Sequence, residues 1–388
     1  MAITSIDNLV SAMAAGQYQR ADWAKVTAAT VAYTAGNYYD LSQVPGSPVA
    51  NTYPGAALVA QTPTDLNPGF GMWLGGDVSP SVKNLVNLGA YSSVATSVPG
   101  KIDLFDIVMY YPGINNLITT AQTLINSNTF TASSSSGLLL TYTNDFGTAT
   151  VYTTVQFSNS GGALPTGLVA ATTYWLVRQS ATTAKVSTSY ANAVAGTFIA
   201  FTDAGSGTNT LTVTPNRYAD GAGLRMLVVQ TVTTGTPAAT PVVSAAGFQY
   251  TNQSGTTGKV LGAVVNYTAG AANVPTPGKV VHSGVAANNF LPFLPLAAGD
   301  RGVQRVTQYQ ISTAYTTATV MTSALLLVKP LASVPIVTAS AAGERNLIMQ
   351  VPSMPVVKDG ACVVPFFFAG AALAANSPIM GYADAAWG

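Results

Sequence analysis

The sequence predicts a mainly β protein, and three observations carry that expectation. Runs rich in Val, Ile, Thr, Tyr and Phe recur along most of the chain, punctuated by Gly, Pro and Asn. Between residues 151 and 214 these runs follow one another at roughly ten to twelve residues, the spacing of a sandwich or small barrel. Helical periodicity is confined to two short stretches near the N-terminus. The expected architecture is a jelly-roll-like antiparallel sandwich with an inserted second β-sandwich domain. An extended N-terminal arm with short helices precedes it.

Taken in order, Ser5 is placed to cap a helix over Ile6 to Ala15, with Asp7 in the first turn and Gly16 as its stop. Ile6, Leu9, Val10 and Met13 have helical spacing. Val26 to Tyr33 reads as a strand. Thr34 to Gly76 carries Pro45, Pro48, Pro54, Pro63 and Pro68 and reads as an extended arm, either a subunit contact or a loop laid on the surface. Ser79-Pro80 opens a second short helix through Leu88, closed by Gly89. Ile102 to Tyr111 is apolar on both faces and runs into Pro112-Gly113, a buried strand closed by a turn. Asn115 to Leu124 reads as a helical turn or a strand.

The composition then shifts. Residues 126 to 216 are dominated by Thr, Ser, Ala, Gly and Val, and their ionisable side chains of either sign are Asp145, Arg178, Lys185 and Asp203. Strands are expected at Val151 to Ser158, Thr173 to Arg178, Ala184 to Thr188, Gly196 to Thr202 and Thr208 to Thr214. After Arg217 the residue mix of the first part returns. Strands are expected at Leu224 to Val232, Pro241 to Tyr250, Lys259 to Tyr267, Asn289 to Leu296, Val303 to Ser312, Thr319 to Val328, Ala361 to Ala369 and Pro378 to Ala385. The domain reading is therefore an arm over 1–95, a split main sandwich over 96–125 and 217–388, and an inserted β domain over 126–216. The two ends of the insert are expected to lie close together.

Composition excludes several function classes. The 388 residues hold 15 Lys and Arg against 14 Asp and Glu, 7% in all, where about 25% is ordinary. The one histidine is His282 and the one cysteine Cys362. No disulfide framework and no His/Cys metal cluster is expected, and no cofactor. Glu344 is the lone glutamate, so a Glu/Glu glycosidase pair is impossible. A net charge of +1 offers no basic field for nucleic acid. The start of the chain lacks the basic and apolar regions of a signal peptide. The apolar run Ala361 to Ala375 is shorter than the ~20 residues a spanning helix needs, so no membrane partner is expected and a buried strand pair is. A surface this poor in ions suits a subunit that covers much of itself with neighbours.

No catalytic constellation emerges. His282 lies in a strand-end context and no G-x-S-x-G elbow exists. Cys362 sits in an apolar strand and behaves as a small hydrophobe. The glycine-rich stretch from Gly69 to Gly76 lacks phosphate-loop spacing; it reads as turns around packed Phe70, Met72 and Trp73. Asp103 and Asp106 are separated by an odd offset and fall on opposite faces of their strand. Asp300-Arg301 and Glu344-Arg345 are adjacent opposite charges that suit intersubunit salt bridges or ordinary solvated turns. No D-x-D-x-D-G calcium loop is present near Asp203 or Asp220.

One segment carries a resemblance. Leu164 to Leu168 reads Leu-Pro-Thr-Gly-Leu, Thr172 to Val177 reads Thr-Thr-Tyr-Trp-Leu-Val, and Phe201 to Thr208 reads Phe-Thr-Asp-Ala-Gly-Ser-Gly-Thr. Together with Val155 to Gly162 and Lys185 to Ser189, this pattern resembles a small β module recurrent in virion structural proteins of tailed bacteriophages. It spans about a quarter of the chain. The flanks from Arg217 to Arg225, from Val351 to Cys362 and from Tyr382 to Gly388 are similar to structural proteins of the same kind. The resemblance implies no catalytic residues. It implies a non-enzymatic protein located in the virion after assembly in the host cytoplasm. The part that fits best is a capsid decoration, cement or vertex protein, self-associated, expected as a trimer, and docked on the major capsid protein or other virion proteins. A tail or appendage protein touching the host surface is the alternative; a major capsid protein is the remote one, since no long charged helix is seen. On the alternative, the insert would bind a glycan through Tyr152, Tyr174, Trp175 or Tyr190, residues that otherwise read as core packing.

Overall fold

The structure is a computed structural model that describes residues 3–27, 32–64, 71–92, 94, 99–133, 138–146, 153–234, 241–267, 276–284, 291–316, 318–350 and 353–388. The first part of the chain forms α1 (Ile6–Ala14), β1 (Tyr18–Val26), β2 (Asn37–Asp40), β3 (Gly46–Ser47), β4 (Lys83–Ser92), β5 (Gly100–Asn115) and β6 (Gln122–Thr123). The middle forms β7 (Ser127–Ala132), β8 (Leu140–Tyr142), β9 (Thr153–Ser160), β10 (Thr173–Ser180), β11 (Thr183–Ser187), a one-turn α2 (Tyr190–Val194) and β12 (Thr208–Val213). The last part forms β13 (Arg225–Thr234), β14 (Val242–Val243), β15 (Gln249–Asn252), β16 (Lys259–Val260), β17 (Val265–Asn266), β18 (Val303–Tyr309), β19 (Ile311–Thr313), β20 (Val320–Ile336), β21 (Gly343–Asn346), β22 (Val363–Ala369) and β23 (Pro378–Trp387). The mainly β class is as the sequence predicts. No helix among the described residues is long and apolar enough to cross a membrane.

Two five-stranded antiparallel sheets, ordered β21-β4-β23-β1-β3 and β13-β20-β5-β22-β2, form the sandwich. Trp23, Leu85, Leu88, Ile379 and Ala383 of the first sheet meet Ile102, Leu104, Val334 and Phe367 of the second in one buried cluster. The segment Ala361 to Ala385 supplies two buried strands, as expected, but they are not a pair. β22 lies between β5 and β2, while β23 lies between β4 and β1.

The second sheet also curls on itself. Gly278 to Val281 bonds to both of its edge strands. Val280 N donates to Tyr38 O at 2.9 Å, and Val281 N donates to Val228 O at 3.0 Å. One cluster drawn from all six elements fills the ring so closed, including Tyr38, Phe105, Leu227, Val280, Leu326 and Val364. The other face of β5, β13 and β20 is continuous with a third cluster through Met109, Tyr111, Met226 and Leu327. β5 supplies both faces by alternation, and a register shift at Val108 changes which parity points into the ring, from Phe105 and Ile107 to Tyr110.

Strands β7 to β12 close into a six-stranded barrel, in the order β10-β11-β8-β7-β12-β9. Phe130, Phe157, Tyr174, Leu176, Val186 and Leu211 fill it, and this filling runs on into the cluster beneath β5 and β13. Val213 N donates to Asn126 O at 2.8 Å, so the chain enters and leaves the barrel side by side. Both ends carry buried polar anchors. Asn126 donates to Leu124 O and Val306 O and accepts from Tyr111 Oη at 2.7 Å. Arg217 holds the other end through an ion pair described below.

Several local expectations are corrected. α1 forms where the sequence places it, with Ser5 Oγ accepting from Asn8 N. The strand expected over Val26 to Tyr33 instead runs from Tyr18 to Val26; residues 28–31 lie outside the described set. Arg20 and Asp22 point outward and Ala21 and Trp23 inward, but the alternation is obscured by inward Lys25 between outward Ala24 and Val26. The helix expected from Ser79 to Leu88 is strand β4. Its Leu85/Leu88 spacing imitates a helix, but the strand is buried on both faces. Thr34 to Gly76 is not a free arm, because Tyr38, Tyr39, Leu41, Val44, Tyr53, Val59, Met72 and Leu74 are all buried. Pro112-Gly113 does not end β5. The pair forms a bulge, with Tyr111 opposite Leu325 and Ile114 opposite Ser323. Gly196 to Thr202 forms no strand, and neither does Leu291 to Leu296. β7, β8 and β21 are not among the strands expected from the sequence: β8 is three residues long, and Ser and Asn in β7 and Gly, Glu and Asn in β21 dilute the β signal.

Candidate interaction surfaces

The aromatic residues that the sequence offers as contacts do not form an exposed row. Tyr152 lies outside the described residues. Tyr174 is buried in the barrel, its ring 5.4 Å from Phe157 and its hydroxyl accepting from Val169 N at 2.9 Å. Trp175 is the next residue on β10 and so points to the other face. There it packs edge-on against Tyr190 at 5.2 Å, with 9% of its surface exposed. Tyr190, at the start of α2, is half-buried. In this protein Tyr174 and Trp175 are packing residues, and Tyr190 alone of the described three shows a partly open ring.

The residues weighed for chemistry are likewise absorbed into the fold. His282 is fully buried, with Nε2 2.9 Å from Pro292 O, and burial pushes its pKa down to about 4. The imidazole is therefore neutral near pH 7. Cys362 is buried, and its backbone N–H donates to Asp106 Oδ1 at 2.9 Å. Asp106 is sealed against Arg217, whose Nε and Nη2 reach it at 2.9 and 2.7 Å. The same guanidinium donates to Pro63 O and Ile107 O. Asp103 instead meets Lys101 at 3.0 Å. The regular β5–β22 register between them keeps the odd offset intact. Asp300 is held by Tyr250, Asn252 and Lys259. Asp203 staples its own loop to Thr166 and Gly205. Met72 is packed as expected, whereas Trp73 is 51% exposed; Phe70 lies outside the described residues. No group of three or more metal-ligating side chains is found among the described residues.

Two surface features stand apart. The first is α1. Leu9 and Ala12 face the sandwich, while Ile6, Val10 and Met13, at i, i+4 and i+7, lie within one exposed stripe at 48%, 59% and 42%. Helical spacing alone predicts that these residues are apolar and on adjoining faces. It does not predict that the sandwich covers only one of the faces.

The second feature is a groove of about 310 Å³ at the open end of the ring formed by the curled sheet. Its floor is Lys101, Asp103 and Phe105, alternate residues of β5, with Tyr38 of β2 beside them. One wall is Leu291 to Phe293; the other is the bulge of β20 at Pro330 to Ala332, with Arg345 of β21 at the rim. Lys101 Nζ lies 5.2 Å from the Tyr38 ring centre. Burial alone would lower the Lys101 pKa, but its hydrogen bond to Tyr38 and the charge of Asp103 raise it. Arg345 donates Nη1 to Ser333 O at 3.1 Å. Behind the Phe293 ring sits the Arg225 guanidinium, 5.3 Å from the ring centre.

No family model matches the chain. No curated protein matches it. Among solved structures, a chain of the infectious bursal disease virus Gt strain structure aligns over 95% of this chain and 80% of its own, at 9% identity and a TM-score of 0.14. Likeness at that level carries no weight for fold or role.

Proposed function

We propose that this chain is a non-enzymatic structural subunit of a tailed-bacteriophage virion, a decoration, cement or vertex protein that stabilises a shell by apolar contacts. The observation that carries the reading is the exposed α1 stripe of Ile6, Val10 and Met13 on a protein with 7% charged residues. A solitary soluble domain seldom leaves such a stripe beside so few ions, whereas a subunit covers it with a neighbour. The phage-like module supports the same reading, and residues 126–216 act in it as an insert on the main sandwich. In this role the buried His282, Cys362 and Asp106 are structural.

Sedimentation velocity on the purified chain tests it. The chain is expected to self-associate, as a trimer. Ile6→Glu, Val10→Glu and Met13→Glu together are expected to shift it to monomer with an unchanged thermal melt, since those side chains are exposed. A wild-type chain that stays monomeric at ~100 µM overturns the assembly reading. Particle imaging with an antibody label separates locations: label on the shell supports decoration, and label on the tail alone overturns it in favour of an appendage protein.

A further inference from the structure

We infer that the groove at the mouth of the curled sheet is a docking site for a partner polypeptide, and that it takes a segment with a carboxylate beside an aromatic or branched side chain. Two cations line this groove, Lys101 and Arg345, with Asp103 as the one anion on its lining, and a third cation, Arg225, stands behind the Phe293 ring. Glu344, the neighbour of Arg345, is turned away and accepts from Asn87 Nδ2 of the paired strand β4 at 2.7 Å. Neither Arg345 nor Arg225 has a carboxylate within ion-pair distance among the described residues. Arg225 Nε is buried and has no hydrogen-bond partner there. With Lys101 paired to Asp103, Arg345 is the one charge on the lining of this concavity left without an opposite charge among the described residues.

The shape agrees with the charge. A carboxylate at the Arg345 rim would accept its remaining N–H groups. An adjacent ring would lie against Phe293 and Leu291, the latter 62% exposed on the lip, with the Phe105 ring backing Phe293 at 5.4 Å. About 310 Å³ holds one or two side chains rather than a large cofactor. Barrel mouths are recurrent places for such sites, because the strands that end there leave a concavity the interior has not filled. The inference stands on this geometry and does not rest on the virion reading.

Isothermal titration with three capped dipeptides tests it: acetyl-Asp-Phe-amide, acetyl-Asn-Phe-amide and acetyl-Lys-Phe-amide. The Asp peptide is expected to bind at least tenfold tighter than the Asn peptide, and the Lys peptide weakest. Arg345→Gln is expected to remove the Asp preference while leaving the thermal melt unchanged, because Arg345 is exposed on an edge strand. Phe293→Ala is expected to weaken the Asp and Asn peptides alike. Equal affinity for Asp and Asn peptides overturns the inference. So does no binding by any peptide at 5 mM, or an Asp preference that survives Arg345→Gln.

Discussion

The buried Asp106–Arg217 pair gives the sharpest test of how this fold is held. Arg217 is 4% exposed and Asp106 is fully inaccessible. Replacing Arg217 with Met keeps the length of the stem and removes every N–H. Asp106 then keeps the Cys362 N–H, and Pro63 O and Ile107 O each lose a donor. Removing one partner of a buried pair costs about 3–5 kcal/mol, and each orphaned carbonyl adds on the order of 1 kcal/mol. The expected loss is therefore about 5–7 kcal/mol. At ~2.1 cal/mol/K per residue, 388 residues unfolding together give ~0.8 kcal/mol/K, so the melting temperature falls by about 6–9 °C. Differential scanning calorimetry reads the shift. The companion double variant, Asp106→Leu with Arg217→Met, is expected to recover most of it, because no charge is then left without a partner. A single-variant loss under ~1 kcal/mol, or a double variant no better than the single, refutes the claim that this pair clamps the barrel's exit to β5.

Three further predictions concern buried groups. Burial lowers the Lys279 pKa from 10.5 to about 7, so between those values the unfolded chain binds a proton the folded chain does not. Folding stability should rise from pH 7 to 9.5 by up to about 3 kcal/mol, and Lys279→Met should flatten that slope in urea titrations. His282 is depressed to about 4 from 6.5, so its contribution is intact above pH 6.5 and is lost as pH falls towards 4. His282→Gln should weaken the acid dependence over pH 4–6.5, and an unchanged profile would show that other groups govern acid unfolding. A Cβ on Gly381 would lie 2.2 Å from Gly89 O and 2.6 Å from the Trp23 ring. Gly381→Ala should cost about 1–3 kcal/mol by overpacking, measured by chemical denaturation, and a neutral result would mean that β23 can shift locally between β4 and β1.

Much of the architecture is legible in the residues, and the failures share a cause. α1 is readable because Ser5, Asp7 and Gly16 are local signals, and local signals survive packing. β5, β13, β20 and β22 are readable because each carries a run of apolar residues buried on both faces, such as Ile107 to Tyr111, Met226 to Val229, Ala324 to Val328 and Val363 to Phe367. β1 is missed because its inward residues include Ala21, and because Lys25, though buried, is charged. β4 is misread because an apolar run buried on both faces fits a helix and a strand equally well. The arm from Thr34 to Gly76 looks unattached because its prolines break regular elements. Nothing in its sequence shows that Tyr38, Tyr39 and Tyr53 enter two cores.

Composition and local pattern settle the class of the protein and its supply of ionisable groups: mostly strands, few ions, one histidine and one cysteine. These are sums over residues and need no partner in space. Packing between distant segments settles the rest. It places Tyr174 and Trp175 inside, leaves Ile6, Val10 and Met13 outside, and draws Lys101 and Arg345 to one groove from strands far apart in the chain. The physical reason is that exposure and local charge are set by which faces other elements cover, and strand pairing makes those choices between residues hundreds of positions apart.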